Sequence, residues 1–329
     1  MTQHHPSPMI QRHDRHSLTL LRRGAAALLM SLSSLVAQTS FDWLNYPVFS
    51  ADLAMAGATV ALSGSPEALT VNPAGLGANG AGRQFWAGAR TYPAGISQLA
   101  TAFVWKRGSQ VWGGSVRSMV FGRFDGYDED GLAGDAYSAS ETALQLGVRQ
   151  RFGKLLSLGV SAGIAAGNLA DRSAVALLWS AGLQVQLPAV AAQIGLAVQN
   201  NGRYLWQYGN EGPADGLPTR WMVGLSKGLA YLPLTLHLAA GRLFFTDEWL
   251  WRVGGEFRLG AGLALRWGVD QDKAGYRRGS AEQDLLSGIS LGLGTLPGDG
   301  RWMRTQLDAG VKLLGPLGIT TAIALSYRL

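Results

Sequence analysis

The chain has 329 residues, 45 Gly, 11 Trp and no Cys, and only 15% of it is charged against 47% hydrophobic, whereas a soluble domain usually carries about a quarter charged residues. No apolar run reaches the roughly 18 residues of a membrane-spanning helix, so the hydrophobicity is spread over alternating strands, and the Gly content argues against long helices. Four of the 28 Lys and Arg and one of the 22 acids lie in the first 37 residues, which leaves 24 and 21, a balance of +3; no basic run remains, and nucleic-acid binding is excluded as a class.

In chain order, Arg22 and Arg23 precede the apolar stretch GAAALLMSLSSLVA, ending at Ala37. This reads as a secretory signal peptide, residues 1–37, behind a long leader extension in which Met9 is a second candidate start. With no Cys beyond it, a lipoprotein anchor is excluded. Residues 38–83 follow as a separate segment. Its centre, SADLAMAGATVALSGSPEALTVNPAGLG (50–77), is too rich in Gly and Ala for an ordinary core helix. Asn72-Pro73 predicts the start of a short helix, with Asn as cap and Pro in the first turn.

From residue 84 to 329 the sequence alternates with period two. In the last segment Leu317, Ile319, Thr321, Ile323, Leu325, Tyr327 and Leu329 share one face, and Thr320, Ala322, Ala324, Ser326 and Arg328 the other. Segments near 84–92, 97–107, 110–122, 137–152, 155–167, 173–187, 190–200, 218–229, 232–243, 248–258, 261–270, 283–295, 302–313 and 316–329 predict an all-β, roughly 14-stranded antiparallel transmembrane β-barrel. Strands of roughly ten residues suit a tilted bilayer crossing, and Trp residues near strand ends (Trp86, Trp105, Trp112, Trp249, Trp302) suit interfacial girdles. The long connections 123–136, 201–217 and 271–282 follow odd-numbered strands, while the turns after the second to tenth even strands are short, as expected of outer-membrane barrels. Tyr204, Trp206 and Tyr208 in the second long connection, with Tyr127 and Tyr276 in the others, form a candidate partner-docking surface of aromatics among polar residues.

A lumen this wide needs filling, and residues 38–83 are the natural plug. Chemistry is sparse. Four of five His lie in the leader; the fifth, His237, is expected to face the lumen, without a nucleophile elbow or metal-ligand set. The acidic run Asp125 to Asp130 lacks the spacing of a calcium loop. The sequence therefore predicts a non-enzyme with no cofactor and no metal.

The segment Phe41-x-Trp-Leu44-Asn-Tyr-Pro47, then Ser-Ala-x-Leu-Ala-Met-Ala-Gly57-Ala-x-Val-Ala, then Asn72-Pro73-Ala74-Gly75-Leu76 resembles the N-terminal signature of the PorV/PorQ family, a branch of the FadL-like outer-membrane barrels. Family members usually have Gly-Gly after a Met-Gly or Leu-Gly step, where this sequence has Ala56-Gly57-Ala58, and commonly Asp-Asp where Gly64-Ser65-Pro66-Glu67 stands. The resemblance, closer to PorQ, implies a structural or anchoring component of type IX secretion or surface attachment in the bacterial outer membrane, with secretion or attachment proteins as partners beside membrane lipid. The FadL relatives imply an alternative, uptake of long-chain fatty acids or other hydrophobic compounds through an opening in the barrel wall.

Overall fold

The computed structural model describes residues 41–78, 80, 82–126, 132–209, 216–244, 248–271, 286–296 and 304–329; the leader, Tyr127, Tyr276, Trp302 and most of the run Asp125–Asp130 lie outside these. Fourteen strands appear: β1 (Arg83–Thr91), β2 (Ser97–Arg107), β3 (Gln110–Phe124), β4 (Tyr137–Phe152), β5 (Leu156–Leu169), β6 (Arg172–Leu187), β7 (Ala192–Trp206), β8 (Arg220–Gly228), β9 (Leu234–Leu243), β10 (Trp249–Leu259), β11 (Leu263–Asp270), β12 (Ile289–Thr295), β13 (Thr305–Leu313) and β14 (Ile319–Arg328). Each pairs antiparallel with its chain neighbours, and β1 closes the barrel on β14, with Phe85 opposite Tyr327.

The sidedness is that of a membrane barrel. Ile323 is 65% exposed, Leu293 58% and Leu307 56%, all pointing outward. Gln84, Arg117, Gln145, Gln184, Gln199 and Arg266 point inward and are buried. This inverts a soluble core and matches an apolar lipid face around a polar lumen. Short turns join β2–β3, β4–β5 and β10–β11 at one end of the barrel (the turn end); the connections after β3, β7 and β11 lie at the other, the loop end.

Three details differ from the alternation as read. Trp86 is 2% exposed and packs inside on Phe49, with ring centroids 4.2 Å apart, so it belongs to no girdle. The loop expected at 201–217 begins later, because β7 continues to Trp206. In β7 the pairing slips opposite Trp179–Ala181 and Asn200 takes a positive φ of 53°. That irregularity reverses the alternation: Ile194 and Leu196 face out before it, Arg203 and Leu205 after it. Tyr204 is thereby turned into the lumen.

The lipid-facing register is testable. Ile323 sits mid-strand, opposite Ala89 and Ala309. Ile323→Arg is expected to cost about 2–4 kcal/mol at the bilayer midplane, and Leu317→Arg in the β13–β14 turn about 0–1 kcal/mol. Denaturant unfolding of the barrel in vesicles measures both, and equal costs would mean the lipid face is misassigned.

Candidate functional site: the occupied lumen

Residues 41–78 lie inside the barrel as a chain of short turns. These are a 3₁₀ turn at Asp42–Asn45, helix α1 (Ser50–Ala54), helix α2 (Ala68–Val71) and a 3₁₀ turn at Pro73–Gly75. Asn72 caps the last turn, its Oδ1 accepting from the Ala74 N–H at 3.1 Å, as the Asn-Pro pair predicts. None of these turns is long enough to satisfy its own backbone. The barrel wall supplies the missing donors. Arg117 donates to the Leu44 carbonyl at 3.3 Å, Arg220 to Asn45 O at 2.9 Å and Arg252 to Gly57 O at 3.2 Å. Arg90 donates to Pro47 O, Gln184 to Leu62 O at 2.7 Å, and Gln199 to Val71 O.

Close approach needs small residues as well as donors. A Cβ at Gly182 would fall on Asn72 Oδ1, one at Gly195 on the Val60 carbonyl, and one at Gly159 on the Pro73 backbone. Much of the glycine that made the sequence look unlike a helical protein is thus a track for the inserted chain. Of the motif residues, Phe41, Leu44, Gly57, Asn72, Pro73, Ala74, Gly75 and Leu76 are buried there, and Pro47 is half-buried. Ala56 adopts φ 52° beside Gly57 at 77°, a left-handed pair that closes α1. A glycine at position 56 would relieve a strain of about 1 kcal/mol.

A packed aromatic cluster and a cavity result. Toward the loop end Phe41, Trp43 and Leu44 pack with Met119, Leu178 and Leu217. Tyr204 stacks on Phe41 at 6.2 Å, and Tyr208 lies 6.5 Å from it while donating to Glu141 at 2.8 Å. The sequence places these two tyrosines on an outward docking loop; the reversal in β7 turns Tyr204 inward, and Tyr208 follows it to the same aromatic cluster. Trp206, 53% exposed, stays outside.

Toward the turn end a cavity of about 210 Å³ lies between the inserted segment and β10–β14, lined in part by Glu67, Ser65, Arg266, Gln306 and Asp308. Arg266 holds Glu256 at 2.9 Å and Asp308, and Lys312 holds Asp270 at 2.6 Å, so these lumenal charges neutralise one another across strands. Glu67, on the inserted segment, is half-buried on the cavity. Its carboxyl is pushed up to about 8 by burial first and then by Asp308 and Asp52, against the opposing pull of Arg266. His237 is buried with Nδ1 2.8 Å from Ser226 Oγ, and no group of metal-ligating residues occurs among the described residues. No local pattern signals the cavity, because its walls come from segments far apart in the chain.

Beside this cavity the barrel wall is thin. The β12–β13 ladder runs only from Ser290↔Lys312 to Gly294↔Asp308. Beyond it the seam is held by side chains: the Leu307 N–H donates to Thr295 Oγ1 at 2.9 Å, and Gln306 Nε2 to Thr295 O at 3.3 Å. On the lipid side of the same seam lies an apolar groove of about 840 Å³, walled by Leu293, Thr295, Leu307 and Ile323 and sharing Asp308 with the inner cavity.

No protein-family model matches the chain, and no curated protein matches it. Solved structures do. The toluene transporter TbuX of Ralstonia pickettii is similar with a TM-score of 0.61 at 16% identity, over 87% of this chain and 99% of that one. The P. putida toluene transporter TodX gives 0.55 at 11%, over 86% and 99%. A Pseudomonas aeruginosa FadL homologue gives 0.53 at 10%, over 85% and 98%.

The account of the lumen predicts two outcomes. Gly182→Val places a branched side chain on Asn72; it should expose residues 41–78 to added protease while the barrel keeps its heat-modifiable migration. Glu67 supplies the second. Its folded value lies above its ordinary 4.5, so the docked segment keeps a proton that the undocked one releases. Docking should therefore be strongest below pH about 4.5 and weaken as pH rises towards about 8. Protease resistance of the segment, compared at pH 5.5 and 8.5, should lose part of its pH slope in Glu67→Gln; an unchanged slope contradicts the assignment.

Proposed function

We infer that this closed 14-stranded barrel, similar in fold to the toluene transporters and the FadL homologue, resides in the bacterial outer membrane with its short turns at the periplasmic side. From that premise we propose that it passes small hydrophobic compounds across the outer membrane. The observation that carries this reading is the meeting of an inner cavity and a lipid-side apolar groove at the short β12–β13 seam. The packed aromatic cluster around Phe41, Tyr204 and Tyr208 would meet the solute from outside and have to part to admit it. Its apolar walls favour uncharged or weakly polar molecules, which lose little on leaving water. Displacement of the inserted segment would then bring the solute to the cavity, and the seam would release it towards the membrane. Among the described residues, parting the seam below Gly294–Asp308 breaks two side-chain hydrogen bonds and no strand ladder. That costs less than opening β4–β5, where fourteen residue pairs from Ala139↔Leu169 to Phe152↔Leu156 face one another. That the similar solved structures include toluene transporters supports the substrate class.

Locking the seam tests the reading. Thr295→Cys/Leu307→Cys should form a disulfide beside the stitch. Cells carrying the oxidised variant should take up toluene or oleate several-fold more slowly, with recovery on reduction. Full cross-linking with unchanged uptake would overturn the route.

A secretion or attachment scaffold is the second reading, and the N-terminal motif from Phe41 to Leu76 is what favours it. With Tyr204 and Tyr208 inside, its docking surface would centre on Trp206 and the loop beyond Gly209. Replacing residues 209–217 by a short Gly-Ser turn should release surface-attached proteins under this reading and leave uptake intact; under the transport reading surface proteins stay attached.

A further inference from the structure

The turn end carries a charge pattern that solute passage does not use. Arg83, Lys106, Arg107, Arg151, Lys154 and Arg304 are all exposed there. The acidic side chains described near the same level, Glu256 and Asp308, are turned inside, where both bond to Arg266. The loop end is mixed, with Asp125, Asp135, Asp171 and Glu248 exposed beside Arg123 and Arg172. Charge is thus sorted along the barrel axis, positive towards the periplasm.

Within that ring one group of side chains is assembled by register. Arg83 on β1 stands opposite Trp105 on β2, which stands opposite Trp112 on β3. Alternation places all three on the lipid side, where Trp105 is 37% and Trp112 40% exposed. The two indoles stack at 6.5 Å with 15° between their planes, and Phe103 stacks on Trp105 at 5.9 Å. Arg107, two residues beyond Trp105, faces the same way and pairs in register with Gln110, whose side chain accepts from Trp112 Nε1 at 3.2 Å. Arg83, Lys106 and Arg107 make no side-chain hydrogen bond or ion pair among the described residues. Two free guanidinium groups therefore flank an indole pair at the depth where acyl chains meet headgroups.

We propose that this group binds an anionic phospholipid of the periplasmic leaflet. Arg83 and Arg107 would hold the phosphate, the indoles would cover the glycerol region, and Phe85 and Leu99 below them would contact the acyl chains. Guanidinium forks suit phosphate oxygens, and a Trp platform suits the amphipathic boundary. An acidic protein partner fits less well, because the indoles face laterally into the bilayer and not down into the periplasm.

Native mass spectrometry of the detergent-purified barrel, incubated with equal phosphatidylglycerol and phosphatidylcholine, tests this. The wild type should retain phosphatidylglycerol preferentially. Arg83→Gln/Arg107→Gln should reduce that preference about tenfold, Arg83→Lys/Arg107→Lys should restore part of it, and the loop-end pair Arg123→Gln/Arg203→Gln should leave it intact. Heat-modifiable migration on gels confirms that each variant is folded. Equal retention of the two lipids by the wild type, an unchanged preference in Arg83→Gln/Arg107→Gln, or equal loss in the loop-end pair would overturn the proposal. So would displacement of bound lipid by glycerol 3-phosphate at matched concentration, which would assign the site to a free phosphate ester.

Discussion

A barrel of fourteen strands satisfies its own backbone by closing on itself, but the segment it encloses cannot. Residues 41–78 form only short turns, so many of their carbonyls point away from any partner in the same segment. In a lumen largely screened from water, each unpaired carbonyl would cost on the order of 1–3 kcal/mol. The wall answers with long donors: Arg90, Arg117, Arg220 and Arg252 and the amides of Gln184 and Gln199 all reach inserted-chain carbonyls. Most of what is distinctive about the molecule follows from this match of wall donors to enclosed acceptors. The inward face must be polar and cationic, the outward face apolar, and glycine must stand wherever two backbones meet.

The same match shapes the aromatic cluster and the cavity. Where the enclosed chain is aromatic (Phe41, Trp43), the wall offers Met119, Leu178 and the tyrosines of β7 and the loop beyond it. Where it is polar (Ser65, Glu67), the wall offers Arg266, Gln306 and Asp308. The aromatic part lies towards the loop end and the polar part beside the shortest strand ladder. Asp52 shows how carefully charge is handled between them. It is buried, burial raises its carboxyl, and Thr59 with the surrounding arginines draws it back.

Much of this was legible in the sequence. Strand number, the inverted sidedness and the odd-numbered position of the long loops follow from a period-two pattern, and a pattern of that kind is local. Asn72-Pro73 announced its own turn for the same reason. What escaped was set at a distance. The inward turn of Tyr204 depends on an irregularity around Asn200 that pairs with Ser180, and alternation counted residue by residue cannot see it. Trp86 looked like a girdle residue because its neighbours alternate correctly; only Phe49, contributed by the enclosed chain, shows that the indole is inside. The cavity and the thin seam join residues from Glu67 to Asp308 and had no local signature at all.

The central claim is that residues 41–78 fill the lumen, so the barrel is not an open aqueous pore. Single-channel recording of the purified barrel in a planar bilayer addresses it directly. The account predicts almost no steady ion conductance from the intact chain, and large ohmic steps once the Arg117 and Arg220 donors are both replaced by Met and the enclosed segment loosens. A steady, porin-sized conductance from the unaltered protein would contradict it.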